Sequence, residues 1–346
     1  MKVGMYYNNS DVRVEEMPIP EVGAGELLIK VKASGICGSD IMEWYRIKRA
    51  PLVLGHELTG EVAEVGEGVT KFAPGDRVFA IHHVPCEGCL ECIRGHHTAC
   101  KDFQTINNFE PGGFSEYLKV GGKSVNTGVM KLPDSMPYDV GTFIEPLGTV
   151  LRGQRSVGLT PGDSVVVVGS GLSGLLHIKV AKALGAGLIV AVDIEESRLE
   201  AANKAGASHV VNAAGDVPGF IRDVNSGRLA DRVIVCAGAL GAVEQSLSLV
   251  ERGGTLLLFA VPKPGETVPV DFNQYWRNDI SIKTSYGSAP LDHFQAIELM
   301  RNGRVSVSDM ITHRLAIEDI QEGFKLAAEG KKALKVIIEF HDSPAD

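Results

Sequence analysis

The sequence predicts a two-domain α/β protein: a mainly antiparallel β domain first, and a doubly wound parallel sheet after it. Three observations carry this. Residues 1 to about 145 hold short alternating runs broken by Gly, Pro and Asp, the pattern of strands with one buried face. From about Ser164 strand-length apolar runs alternate with helical stretches, the pattern of a parallel sheet covered on both faces. The first of those strands runs straight into a glycine-rich turn that opens a helix. We place the boundaries at 1–150, 151–287 and 288–346. The last segment is too short for a third domain and returns to the first.

In the first domain the strands Glu26–Ala33 and Leu58–Val65 alternate in polarity, and Pro74-Gly75-Asp76 turns the chain into Arg77–Ala80. In the second, Ser164–Val168, Leu188–Val192, Asp231–Cys236, Thr255–Ala260 and Ile280–Thr284 read as buried strands. Helices are expected over Leu172–Leu184, around Ser197–Ala205 and over Ala242–Val250. An amphipathic stretch near Asp292–Met300 and a final strand Lys335–Phe340 follow, and His341–Asp346 reads as a disordered end. There are no internal repeats.

Composition narrows the function. A formal charge of −9 argues against a nucleic-acid surface, which needs a basic stripe. The longest apolar runs, such as Leu256–Val261, are strand-length, so no membrane helix is expected. The first residues lack the apolar core of a signal peptide, and a reduced, cytoplasmic protein is expected.

Cys86, Cys89 and Cys92 follow one another at a three-residue stride, and Cys100 comes eight residues later. Four thiolates at that spacing suit one tetrahedral zinc in a closed, structural site. Pro85, Gly88 and Gly95 favour a tight lobe over about 85–101. Two disulfides or four ordinary thiols are the alternative, but the cysteines are clustered rather than spread along the chain. His96 and His97 would then be surface residues, and His82 and His83, just before the lobe, packing or solvated ones.

Gly169-Ser170-Gly171-Leu172-Ser173-Gly174 lies between strand and helix. Gly169 permits the turn, Gly171 lets the backbone approach a pyrophosphate, and Gly174 lets the helix pack close. The N–H groups at Leu172 and Ser173 open the helix toward the anion. Asp193 ends the next strand 19 residues after Gly174. A carboxylate there accepts from ribose hydroxyls and repels a 2′-phosphate, which points to NAD rather than NADP. Arg198 can lie over the adenosine or stand as a surface arginine.

Three further motifs share ligand chemistry: Gly35-Ile36-Cys37-Gly38-Ser39-Asp40, Gly55-His56-Glu57 and Ile144-Glu145-Pro146. Taken singly, Cys37 and His56 are as well read as buried residues in turns. Together with the four-cysteine lobe and the glycine loop, in this order, they resemble the zinc-dependent medium-chain alcohol and polyol dehydrogenases. The resemblance covers essentially the whole chain and is nearest to the branch of sorbitol, galactitol-phosphate and threonine dehydrogenases. It implies a GroES-like catalytic domain joined to a Rossmann domain, two Zn²⁺ per chain, NAD, and a homodimer or homotetramer acting on a small-molecule alcohol. It further implies that Cys37 and His56 are zinc ligands, Glu145 the third protein group and Glu57 an alternative one. Ser39 would take the proton from the alcohol, and Asp40 would orient His56.

One departure stands out. Met42 occupies the place where the family often has a proton-relay histidine, so the proton must leave through Ser39, the cofactor ribose and water, or through Glu43. The change also argues against sorbitol itself as substrate. Trp44 and Tyr45 wall a pocket or pack in the β domain. Arg46, Lys48 and Arg49 read mainly as a solvated loop and secondarily as an anion site. Tyr286-Gly287-Ser288 lies where relatives touch nicotinamide or substrate, and Cys236 reads as core.

The function expected from all this is zinc- and NAD-dependent oxidation of a secondary alcohol, polyol or sugar alcohol, including phosphorylated ones, by hydride transfer. Threonine-type amino-alcohol oxidation is the alternative on the same scaffold. A zinc-stabilised NAD-binding sensor is the non-enzyme reading, disfavoured because a retired site needs no open metal position.

Overall fold

The computed structural model describes residues 1–330 and 333–341. His341 opens the segment expected to be disordered, and 342–346 lie outside the described residues. The chain divides into two compact units, Met1–Pro146 with Ser288–Asp346, and Leu147–Gly287.

The second unit is built on a six-stranded sheet whose pairings are all parallel. Its spatial order is His209–Asn212, Leu188–Asp193, Ser164–Val168, Ala230–Val235, Val250–Leu258 and Ser281–Thr284. Ser164–Val168 stands near the centre and all five of its residues are buried, as a strand covered on both faces must be. The edge strand His209–Asn212, which pairs with Leu188–Asp193, has no fully buried residue, and so gives no apolar run to read from the sequence. The helix Val217–Val224 is set by Asp216, whose side chain accepts from the Gly219 N–H, with Pro218 in the first turn; both are ordinary start signals. Gly206, left-handed at φ 115°, ends the helix Glu196–Ala205 as a C-terminal cap.

The first unit carries an eight-stranded sheet and a three-stranded one. Leu27–Gly35 is the spine of the larger sheet. Its first half pairs with Tyr117–Val120, its last residues with Lys335–Glu339, and its whole length with Glu57–Val65, all antiparallel. Ile311–Ala316 pairs with Lys335–Glu339 in parallel, an exception to the antiparallel pattern made possible by the helix Ile320–Glu329 between them. Tyr6, Phe114 and Phe324 are fully buried, and Phe324 stands 5.8 Å from each of the other two rings. The register that matters for function is Gly35 opposite both Glu57 and Ile337. It brings the Cys37 turn, the His56 turn and the C-terminal strand to one place.

Each unit also buries a histidine completely. His177 lies in the helix Leu172–Ala183, edge-on to Phe259, and His293 lies in the helix Pro290–Arg301, 2.7 Å from the Ser288 hydroxyl. Burial lowers both imidazoles to about 3 from 6.5. Between pH 3 and 6.5 the unfolded chain therefore binds protons that the folded one refuses. The stability these residues protect is fully present above pH 6.5 and is lost as pH falls toward 3. Acid unfolding followed by circular dichroism should steepen below pH 6.5, and His293→Gln should flatten that slope.

Candidate metal centre and dinucleotide loop

The Cys37 turn is closed from inside. The Asp40 N–H donates to the Cys37 carbonyl at 3.0 Å, and the Cys37 N–H donates to Asp40 Oδ2 at 3.0 Å. Asp40 is fully buried, and its other oxygen, Oδ1, faces His56 Nδ1 at 3.5 Å and Arg46 Nη2 at 3.4 Å. The Ser39 N–H and hydroxyl each lie 3.4 Å from the Cys37 sulfur. His56 precedes the strand Glu57–Val65. It follows Gly55, whose φ of 95° is left-handed and where a Cβ would stand 2.7 Å from the backbone nitrogen of Phe114.

The ligand atoms of Cys37, His56 and Glu57 all lie within 4.8 Å of one another. Glu145 lies in the first turn of the helix Ile144–Ser156, and its charge acts on His56. Burial raises the Cys37 thiol, but the charge of His56 and a hydrogen bond with it prevail and bring it down to about 7. His56 is disfavoured by burial, yet Asp40 and Cys37 raise it to about 9. Burial lifts Glu145 to about 7, opposed by His56 and assisted by Cys37 and Asp40.

This donor set fits a divalent cation. A ligating imidazole is neutral, which leaves Cys37, Asp40, Glu57 and Glu145 against the cations Arg46 and Lys335. One divalent ion matches the excess. Sulfur, imidazole and carboxylate together are a zinc set with room for a fourth group.

Two residues complete this picture, one that the sequence did not single out and one that it read otherwise. Lys335, 0% exposed, forms an ion pair with Glu57 Oε2 and donates to the Ile36 carbonyl at 3.2 Å. Burial lowers its ammonium to about 8, against the pull of Cys37 and Asp40. A lone lysine in the apolar run Leu334–Ile338 was the available signal, since lysines are almost never fully buried without a partner. Arg46 is the correction. It is not part of a solvated loop, for its side chain is 14% exposed and turned onto Ser39 and Asp40, whereas Lys48 and Arg49 are exposed. Glu43 accepts from the Asn9 N–H at 3.1 Å. Trp44 and Tyr45 are exposed. His82 and His83 pack ring to ring at 3.8 Å, with His82 5.2 Å from His56.

The four lobe cysteines are free thiols whose sulfurs also lie within 4.8 Å of one another. A tetrahedral ion with bonds of about 2.3 Å places its sulfurs about 3.8 Å apart. Cys89 and Cys92 stand 3.5 Å apart, and Cys86 and Cys92 4.0 Å. Backbone N–H groups of Cys86 and Cys89 point at the sulfurs of Cys100 and Cys86, as thiolates prefer. His96 is exposed, and neither it nor His97 belongs to the cluster.

In the second unit Gly169 is left-handed at φ 95°, and a Cβ on Gly174 would stand 1.9 Å from the Gly169 carbonyl. Gly171 has open space within 4 Å of where its Cβ would be, so the surrounding protein does not need glycine there, and the opening is free for a ligand. No side chain caps the helix that Leu172 and Ser173 begin, and the Ser170 hydroxyl is buried without a partner. Both features fit a phosphate-binding turn. Asp193 is 6% exposed and accepts from the Ser170 N–H at 2.7 Å and the Glu195 N–H at 3.0 Å. It braces the loop as well as facing its mouth. Arg198 lies 4.0 Å from it.

Residues 23–134 match the family model for the alcohol dehydrogenase GroES-like domain, and 174–302 that for zinc-binding dehydrogenases. The chain is 32% identical to the sorbitol dehydrogenase of Bacillus subtilis over 98% of its length and 97% of that protein's. It is 34% identical to the L-threonine 3-dehydrogenase of Bacillus licheniformis over 94% of each. Among solved structures, Escherichia coli galactitol-1-phosphate dehydrogenase superposes with a TM-score of 0.87 at 28% identity, covering 98% of this chain and 100% of that one. A zinc-binding dehydrogenase of Sinorhizobium meliloti 1021 bound to NADP gives 0.87 at 28% identity, over 98% and 99%. The chain belongs to the zinc-binding medium-chain alcohol and polyol dehydrogenase family. It is an oxidoreductase acting on the CH–OH group of alcohols. Among the described residues no helix is long and apolar enough to cross a membrane.

The Lys335–Glu57 pair gives a direct test of the buried charge balance. Lys335→Met leaves a buried carboxylate unpaired and should cost about 3–5 kcal/mol in urea unfolding at fixed zinc concentration. Adding Glu57→Gln should recover most of that loss.

Proposed function

We propose that this protein oxidises a secondary alcohol of a polyol or sugar alcohol, with NAD as the preferred acceptor, at the Cys37–His56 centre. The observation that carries the reading is the convergence of the Cys37, His56 and Glu57 donor atoms beside the Ser39 hydroxyl. Cys37, His56 and Glu145 hold the catalytic zinc, and Glu57 is the alternative carboxylate, restrained by Lys335. Cys86, Cys89, Cys92 and Cys100 hold a structural zinc. Bound zinc supplies Lewis-acid polarisation of the alcohol oxygen, and the bound dinucleotide accepts the hydride.

The chain's own residues do the rest. Ser39 receives the alcohol proton, Asp40 orients His56, and Gly169, Gly171, Leu172, Ser173 and Gly174 cradle the pyrophosphate. Asp193 takes the ribose hydroxyls, with Arg198 beside it. Exposed Glu195 and Glu196 next to Asp193 add negative charge against a 2′-phosphate. The L-threonine 3-dehydrogenase relative, at 34% identity, supports amino-alcohol oxidation as a second reading. Initial rates with polyols, sugar-alcohol phosphates and L-threonine separate the two. A homodimer or homotetramer in the cytoplasm accords with the family and with six free thiols.

Metal analysis should find about two zinc ions per chain. Cys37→Ser should abolish turnover and remove one of them, whereas Cys89→Ser should chiefly lower thermal stability. An active enzyme free of metal would refute the assignment.

Asp193→Ala should weaken NAD use and narrow its advantage over NADP, as read from kcat/KM with each cofactor. Because Asp193 also braces Ser170, the variant should lose some thermal stability. Equal efficiency of the unaltered enzyme with both cofactors would contradict the preference.

A further inference from the structure

Arg46 lies where neither the glycine loop nor the metal donors account for it. Of the run Met42–Arg49 it is the only residue that is not exposed. The short helix Glu43–Arg46 folds it back onto the Cys37 turn seven residues earlier. Its Nε donates to the Ser39 carbonyl at 3.0 Å, and its Nη2 donates to the Ser39 hydroxyl at 2.9 Å and faces Asp40 Oδ1 at 3.4 Å. The Tyr45 ring covers the guanidinium at 4.8 Å. One cation therefore grips both the backbone and the side chain of the serine beside the metal donors.

A guanidinium has only donors. Towards Arg46 the Ser39 oxygen can only accept, so one lone pair is committed and the hydroxyl hydrogen must point elsewhere. The acceptor within reach is Cys37 Sγ at 3.4 Å, at the centre where the alcohol would bind. We propose that Arg46 is a positioning residue that fixes the polarity of the Ser39 hydroxyl, leaving it one lone pair and one hydrogen for the reaction. This rests on the dehydrogenase reading above.

The consequence is a single-file proton step. As the alcohol's proton enters the remaining lone pair of Ser39 Oγ, the serine's own hydrogen turns from Cys37 Sγ to water and its O–H bond breaks, so Ser39 ends as it began and one proton is released. The guanidinium's charge disfavours a doubly protonated, cationic Ser39, so the two O–H bonds exchange together and loss of the serine's own proton is assisted. Arg46 cannot itself take the proton onward, because it has no acceptor. With Met42 in the place of a relay histidine and Glu43 turned to Asn9, the guanidinium supplies orientation and charge, and solvent supplies the exit.

A double-mutant cycle in the zinc-loaded enzyme tests this, using NAD and the fastest substrate among sorbitol, galactitol 1-phosphate and L-threonine. Arg46→Ala should lower kcat roughly 10- to 100-fold, the range for loss of a hydrogen bond from a charged donor, with the KM for NAD and the zinc content unchanged. Arg46→Lys, which can reach one of the two oxygens, should keep part of the rate, and added guanidinium should restore part of it to Arg46→Ala. In a Ser39→Ala background, Arg46→Ala should cost less than about 2-fold, because residues acting as a unit are not additive. Equal losses in the two backgrounds would overturn the proposal.

A second readout needs no turnover. In protein labelled with ¹⁵N-arginine, Arg46 should give resolved Nη signals from hindered rotation, assigned by their absence in Arg46→Lys. The signal of the Nη2 group that holds the hydroxyl should shift and broaden in Ser39→Ala, which keeps the backbone carbonyl and Asp40 contacts. Freely rotating Nη groups in the unaltered protein would overturn the clamp. If no substrate is oxidised at all, the dehydrogenase reading and the proton step built on it fall, while the resonances still decide whether the clamp exists.

Discussion

The β-rich unit's site depends on one buried carboxylate. Asp40 is wholly out of water, where an ionised group persists only if its lone pairs are matched. Oδ2 is matched by the Cys37 N–H, and Oδ1 by His56 and Arg46. The turn that presents Cys37, the ring orientation of His56 and the grip on Ser39 thus share one anchor. Replacing Asp40 would strand three partners at once, so its effect cannot be assigned to any single contact.

Around that anchor the unit concentrates more negative charge than its own cations balance. Lys335 answers Glu57 and Arg46 answers Asp40, leaving Cys37 and Glu145 for whatever the site binds. Burial raises Glu145 to about 7, with Cys37 and Asp40 adding to the shift against the pull of His56. A divalent metal relieves the negative excess, and metal binding at such a place also stabilises the fold.

The two halves of the chemistry rest on different physics. In the second unit the backbone forms the site: a left-handed glycine, a helix start without a side-chain cap, and a carboxylate that ties the loop to the next strand. Asp193 braces the loop, so under the proposed NAD assignment cofactor choice and loop stability are coupled there. In the first unit side chains from distant segments form the site, and the sheet register aligns them.

That difference decides what could be read from the sequence. The four-cysteine lobe and the glycine loop are local: their donors lie within fifteen and six residues respectively, and short spacing fixes geometry. The alternation of strands and helices was legible because apolar periodicity reports burial, and it faded at the half-buried edge strand His209–Asn212. Cys37, His56 and Glu145 could be proposed as ligands only through the order of their motifs. Lys335 and Arg46 were not legible, for opposite reasons. Lys335 meets Glu57 across 278 residues, a contact created by strand pairing alone. Arg46 stands in a basic run in which sequence gives Lys48 and Arg49 equal standing. Only the fold of a one-turn helix decides which of the three cations faces inward, because helical direction, rather than composition, selects the side chain that reaches Ser39.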